Sequence, residues 1–236
     1  MSPETSLFNG AAWYLAFLFS TTLHEASHAL AALKLGDDTA QRAGQVTLDP
    51  IPHIRREPFG MVIVPILSYL MGGWMIGWAS APYDPDWARR NPRRAALMAL
   101  AGPAANLLIC LVAAALIRLG IHLGWFDAPE QISNATRIVS AHRQGLGELA
   151  AVLLSVFFYL NLLLFAFNLI PLPPLDGSSL PLLCLSDSAA AQYTAFMRAP
   201  GVSMVGMILA WQLFGLLARA IYNVALQCLY PGVHYY

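Results

Sequence analysis

Long apolar stretches separated by short polar ones set the pattern of this chain. Four of them, Phe8 to Leu35, Ala95 to Leu119, Leu149 to Ile170 and Val202 to Leu229, reach the roughly 20 helical residues needed to cross a hydrocarbon core, and each predicts a membrane helix. A fifth, Phe59 to Ala81, has the length but is interrupted by Pro65, Gly72, Gly73 and Gly77. Backbone breaks at membrane depth survive only inside protein or beside a water-filled cavity, so this run predicts a bent or re-entrant segment. Between it and the first helix, Gly44 to Asp49 alternates apolar and polar residues and reads as a short strand or half-hairpin. Polar connections fall at residues 82–94, 120–147 and 171–200. The expected architecture is an all-α, polytopic membrane helix bundle with one short β-element. It forms a single domain over residues 1–236, with a core at about 8–185 and an additional C-terminal helix at about 202–229.

Composition supports the membrane reading. Hydrophobic residues make up 58% of the chain and charged residues 11%, against about 45–50% and about 25% in soluble domains. The net charge is zero, and only Arg89, Arg90, Arg93 and Arg94 cluster, which excludes a nucleic-acid partner that relies on phosphate neutralisation. Cys110, Cys184 and Cys228 are odd in number and far apart, a poor basis for disulfides or a thiolate metal site. Met1 to Gly10 lacks the basic start of a cleavable secretory signal, so the first apolar run reads as a retained helix. Trp125, Tyr14, Tyr235 and Tyr236 suit interfacial anchoring.

The basic residues orient this bundle. If the Phe59 to Ala81 segment enters and leaves on one face, that face collects Lys34, Arg42, Arg55, Arg56, Arg89, Arg90, Arg93, Arg94 and Arg198, leaving Arg118, Arg137 and Arg143 opposite. The richer face is then cytoplasmic. Full crossing brings the two faces near parity, so the non-crossing reading is preferred, in a multi-pass protein of the cell membrane.

Chemistry concentrates late in the first helix, at His24-Glu25-Ala26-Ser27-His28. Imidazoles four residues apart share one helical face and can bind one metal ion together, with Glu25 beside them and not a ligand. A zinc ion held by three protein groups keeps an open position for water and lowers that water's pKa, while a nearby carboxylate takes the proton. The bland alternative, polar residues at a helix end, must explain three ionisable groups inside a membrane span, where each is costly. The best candidate for a third ligand is Asp176, in Asn168-Leu169-Ile170-Pro171-Leu172-Pro173-Pro174-Leu175-Asp176-Gly177. Three prolines deny a regular helix there and Gly177 permits a sharp turn, although this stretch alone reads better as a plain Pro-rich turn with Asp176 capping the next helix. The non-crossing topology brings Asp176 to the membrane face on which the first helix ends.

These motifs resemble the site-2 protease family of intramembrane zinc metalloproteases, marked by HExxH on one membrane helix and an N-x-x-P-x-x-P-L-D-G-like stretch on a later one. Ala101-Gly102-Pro103-Ala104-Ala105-Asn106 is similar to the family's AGPxxN segment. The resemblance runs from about residue 20 to 185 and implies His24, His28 and Asp176 as Zn²⁺ ligands and Glu25 as catalytic acid/base. It implies substrate handling at Asn168 and Asn106. With no interposed PDZ-like or CBS-like module, the chain resembles a short bacterial form.

The function so implied is hydrolysis of peptide bonds in or near transmembrane segments, as in regulated intramembrane proteolysis. The partners are a transmembrane protein or peptide substrate and the lipid bilayer. A substrate helix must unwind before attack, and its freed amides and carbonyls need partners. Asn168 and Asn106 each offer a donor and an acceptor, and the Gly44 to Asp49 strand offers an edge. A polar helix–helix contact is an equal reading of Asn106. Ser20, Thr21 and Thr22 either line a wetted cavity or bond back to their own helix. His53 reads as a surface or interface histidine, while His122, His142 and His234 lack ligand spacing. Two other classes stand beside the protease: a non-catalytic membrane scaffold or chaperone of protease-like fold, and a metal transporter. Intact Glu25 speaks against the first, and convergence of the ligands at one end of the bundle against the second. The donor set prefers zinc, with iron or cobalt chemically allowed.

Overall fold

The computed structural model describes residues 3–132, 134–233 and 235, so His234 and Tyr236 lie outside the described residues. The chain folds as helices α1 (Pro3–Leu35), α2 (Thr39–Arg42), α3 (Pro50–Arg56), α4 (Val64–Gly72), α5 (Pro85–Arg90), α6 (Pro92–His122), α7 (Leu146–Asn168), α8 (Asp187–Met197) and α9 (Val202–Leu229). A π-helical turn, Phe59–Ile63, leads into α4, and a 3-10 helix, Asp176–Leu183, precedes α8. Among the described residues, α6, α7 and α9 are long and apolar enough to cross a membrane. Helix α1 is longer than any of these, but its second half carries Ser20, Thr21, Thr22, His24, Glu25 and His28, all buried. Its polarity is therefore concentrated where neighbouring helices cover it.

Helix α6 is the hub, packed against α1, α7 and the 3-10 helix. One core joins Cys110, Ala113 and Ile117 of α6 to Phe158 and Leu162 of α7 and Leu226 of α9. A second packs Trp13, Ala16 and Phe17 of α1 against Val152, Val156 and Leu160 of α7. Helix α9 turns Met204, Ile208, Trp211, Leu216 and Val224 outward, an apolar face suited to lipid.

The ends of the helices define two faces. Arg94 Nη1 donates to the Leu35 carbonyl at 3.2 Å, bringing the start of α6 to the end of α1. At the opposite end, Arg118 Nη1 donates to the Leu229 carbonyl at 2.9 Å and the Tyr230 hydroxyl to the Ile138 carbonyl at 2.7 Å. The Phe59 to Ala81 segment returns on itself. After α4, Gly73 takes a left-handed φ of 73° and the chain runs back until Trp78 N–H donates to the Gly60 carbonyl at 3.2 Å. Gly60 and Gly77 permit this approach, since a Cβ on Gly77 would lie 2.2 Å from the Gly60 oxygen. The segment is therefore a hairpin whose start at Gly60 and return at Gly77 and Trp78 meet beside Phe17 of α1.

The short β-element lies elsewhere than the residue pattern suggests. Phe126–Asp127 (β1) pairs antiparallel with Ser140–Ala141 (β2), whereas Gly44 to Asp49 is irregular. Local side chains take up the backbone groups that a strand would have paired. Gln45 donates to the Pro52 carbonyl, Thr47 Oγ1 accepts from Asp49 N–H, and the Asp49 carboxylate caps α3 through Ile51 N–H. No strand edge is available there for substrate. His53 is buried, not at the surface, and its Nε2 meets the Thr47 carbonyl at 3.1 Å.

Candidate metal centre

Helix α1 carries His24 and His28 on one face, and their Nε2 atoms lie 3.0 Å apart. Asp176 comes to them from the other end of the sequence. Past Asn168, prolines 171, 173 and 174 remove the amide donors of a continuing helix, and the chain turns through Leu172 N–H to the Ile170 carbonyl and Leu175 N–H to the Leu172 carbonyl. Gly177 follows where a Cβ would lie 2.3 Å from the Leu169 oxygen, so only glycine lets the turn close against α7. Asp176 Oδ2 thereby stands 3.2 Å from His24 Nε2 and 3.3 Å from His28 Nε2.

Both imidazoles are held by their other nitrogen. His28 Nδ1 faces the Met98 carbonyl at 2.8 Å, and a backbone carbonyl can only accept, so Nδ1 carries a proton and the neutral ring, the form that binds a metal, has its lone pair on Nε2. His24 Nδ1 lies 2.6 Å from Asn106 Oδ1. Three lone-pair donors then confront one another, and Asp176 Oδ2 is buried with no hydrogen-bond partner among the described residues. A cation between them resolves that repulsion. A tetrahedral zinc with bonds of about 2.0–2.1 Å requires ligand atoms about 3.3–3.4 Å apart, close to the separations present. The donor chemistry and spacing both fit zinc.

Helix α6 forms the floor. A Cβ on Gly102 would lie 2.3 Å from His28 Nε2 and 2.5 Å from His24 Nε2, so glycine alone leaves room for the group of donors. Glu25 is buried on the same helix, about 60° around the axis from His28. The Ser27 hydroxyl donates back to the Leu23 carbonyl at 2.7 Å, the commoner fate of such groups. Thr21 and Thr22 instead bury hydroxyls with no protein partner among the described residues, while Ser20 accepts from Asn161.

A family model, peptidase family M50, matches residues 12–211. The chain belongs to peptidase family M50. This is the site-2 protease family, whose motif positions in this member converge in space at His24, His28 and Asp176. The chain is 33% identical over 164 residues to YwhC of Bacillus subtilis, an alignment covering 69% of this chain and 64% of that protein. It is 32% identical over 161 residues to Rip2 of Mycobacterium tuberculosis and 27% identical over 161 residues to Rip2 of Mycolicibacterium smegmatis, covering 68% of this chain and 52% of each. The names of all three relatives describe zinc metalloproteases. The chain thus spans between half and two thirds of the curated relatives it matches, and no solved structure matches it.

The two asparagines expected to handle substrate sit differently from each other in this M50 chain. Asn168, half-buried at the end of α7, donates to the Leu164 carbonyl of its own helix at 3.0 Å and keeps its oxygen turned elsewhere. Asn106 is fully buried, with its oxygen at His24 and its nitrogen donating to Asn161 Oδ1 at 2.8 Å. Its place is behind the histidine, and it matches the helix–helix reading. Asn161 was not singled out by the residue pattern. The signal available was a lone amide in the middle of the apolar run Leu149 to Ile170, where an unpaired polar group is costly.

Proposed function

We propose that this chain is an intramembrane zinc endopeptidase that hydrolyses peptide bonds in or near transmembrane segments of membrane-protein substrates, as in regulated intramembrane proteolysis. The observation that carries the reading is the meeting of His24, His28 and Asp176 at 3.0–3.3 Å from two ends of the sequence, with Glu25 buried beside them. His24, His28 and Asp176 would hold the ion. Bound there, zinc supplies a Lewis acid that polarises a carbonyl and acidifies a water. Glu25 takes the proton of the attacking water and returns it to the leaving amine. His28, pinned on the Met98 carbonyl, keeps its ring orientation throughout. Asn168, at the mouth of the proline turn, has an amide oxygen available to pair a freed substrate N–H.

The whole chain acts as one membrane-embedded, multi-pass domain with its site towards the cytoplasmic face. The Phe59 to Ala81 hairpin supports this orientation, because it leaves Arg55, Arg56, Arg89, Arg90, Arg93 and Arg94 on the face where the metal donors lie. Glu25→Gln tests the chemistry. Cleavage of a transmembrane reporter should fall at least about 100-fold while bound zinc stays at the unsubstituted level, the size expected on losing a general base. Undiminished cleavage in that variant would remove Glu25 as the base, and no cleavage by the unsubstituted, zinc-loaded chain would return it to the scaffold or transporter class.

A further inference from the structure

Behind the metal donors a chain of buried amides links three helices. His24 Nδ1 meets Asn106 Oδ1 at 2.6 Å, Asn106 Nδ2 donates to Asn161 Oδ1 at 2.8 Å, and Asn161 Nδ2 donates both to Ser20 Oγ at 2.8 Å and to the Phe157 carbonyl at 2.9 Å. Ser20, Asn106 and Asn161 are each fully buried, so water cannot substitute for any link.

The direction of this chain is not free. The Phe157 carbonyl has no proton to give, so the atom of Asn161 facing it must be the nitrogen. Its oxygen then turns to Asn106, which must answer with its own nitrogen, leaving the Asn106 oxygen against His24. An oxygen at that point requires a proton on His24 Nδ1 and, in the neutral ring, leaves the lone pair on Nε2, the atom that faces Asp176 and His28. His28 reaches the same state in one step, through the Met98 carbonyl. Each imidazole is thus referred to a backbone carbonyl, one directly and one through two amides.

We infer that Asn161 is a positioning residue for the metal centre: anchored on the Phe157 carbonyl, it fixes through Asn106 the tautomer and ring plane of His24, so that Nε2 is presented to the ion. The inference rests on the metal-centre reading above. It also gives α7 a second hold on the site, since the helix that delivers Asp176 also sets the direction of a ligand on α1.

The test compares full-length chains in lipid nanodiscs by zinc affinity, read by competition with a chelator of known affinity, and by the nitrogen NMR shifts of the His24 ring. Asn161→Leu keeps the volume and removes both amide functions. Zinc binding should weaken about 10- to 100-fold, the range for loss of a partner behind a metal-bound histidine, and the His24 ring should show mixed tautomers. Should that variant fail to fold, Asn161→Ser, too short to span the gap, carries the same expectation. Ser155→Ala is the control. Ser155 is fully buried on the same helix and accepts from the Ile138 and Val139 amides, so its loss loosens the bundle without touching the relay, and zinc affinity should stay within about twofold. Unchanged zinc affinity in both Asn161 variants, or equal weakening in Ser155→Ala, would overturn the inference. Failure of the unsubstituted chain to bind zinc would overturn the metal-centre reading with it.

Discussion

Gly102 shows how little space a single residue commands at this site. Its absent side chain is what lets α6 approach both imidazoles, and a methyl group there would sit at 2.3 and 2.5 Å from the two Nε2 atoms. Gly102→Ala should therefore weaken zinc binding at least about tenfold, equivalent to about 1.4 kcal/mol, while overpacking costs the fold about 1–3 kcal/mol. Isothermal titration and thermal melts would read the two effects separately. Asp37 is a second informative position. Burial alone would raise its carboxyl, but hydrogen bonds from Thr39 N–H and Asp84 N–H override that and hold it below the ordinary carboxylate value. Because the folded value is the lower one, its stabilisation is complete above the unfolded pKa of about 4 and is lost as pH falls through the folded value. Asp37→Asn should cost about 1–3 kcal/mol at neutral pH and flatten the acid limb of a stability-against-pH curve. At this site the residue pattern disclosed the two histidines and the glutamate, whose relation is set within one helical turn, and offered Asp176 and Asn106 as candidates without their partners. Asn161 and the Met98 carbonyl act across helices, and no local spacing announces them.

At the scale of elements, the apolar runs placed the long helices well, because a run of about 20 apolar residues has few other stable forms in lipid. The β-element was the failure. Gly44 to Asp49 alternates as a strand does, but Gln45, Thr47 and Asp49 satisfy the local backbone themselves, while β1 and β2 pair only because the loop between α6 and α7 is folded back over the bundle end. The bend of the Phe59 to Ala81 segment was foreseen from its proline and glycines. Its closure depends on Gly60 meeting the Gly77–Trp78 peptide, a contact between residues far apart in the run. Gly77→Val should open that hairpin, since its Cβ would collide with the Gly60 oxygen at 2.2 Å and with the Phe17 ring at 2.5 Å. Limited proteolysis should then nick residues 73–84 selectively, with zinc content retained. Nicking that matches the unsubstituted chain would show that the return does not rest on this contact.

Across the whole molecule, metal and fold are linked. The donors sit on α1 and on the 3-10 helix that follows α7, both packed on α6, so an ion bridging them adds a direct tie between two segments that α6 otherwise holds together. Anything that binds the folded state alone stabilises it, by about 2.7 kcal/mol at a free concentration 100 times its dissociation constant. Stripping zinc with a chelator should lower the melting temperature of the full chain and restoring it should reverse the loss, while His24→Ala should make the melting temperature indifferent to both.

What the sequence determined by itself is whatever helical geometry and bond chemistry settle over a few residues. Two imidazoles share a face because they are four apart, prolines deny a helix between Asn168 and Asp176, and the apolar composition demands lipid or burial. Only the tertiary structure decided that Asp176 reaches those imidazoles, that Asn106 stands behind His24 with Asn161 behind it, and that the Phe59 to Ala81 run turns back. Those outcomes depend on which helix faces pack together around α6, a property of the assembled bundle that no short window of residues contains.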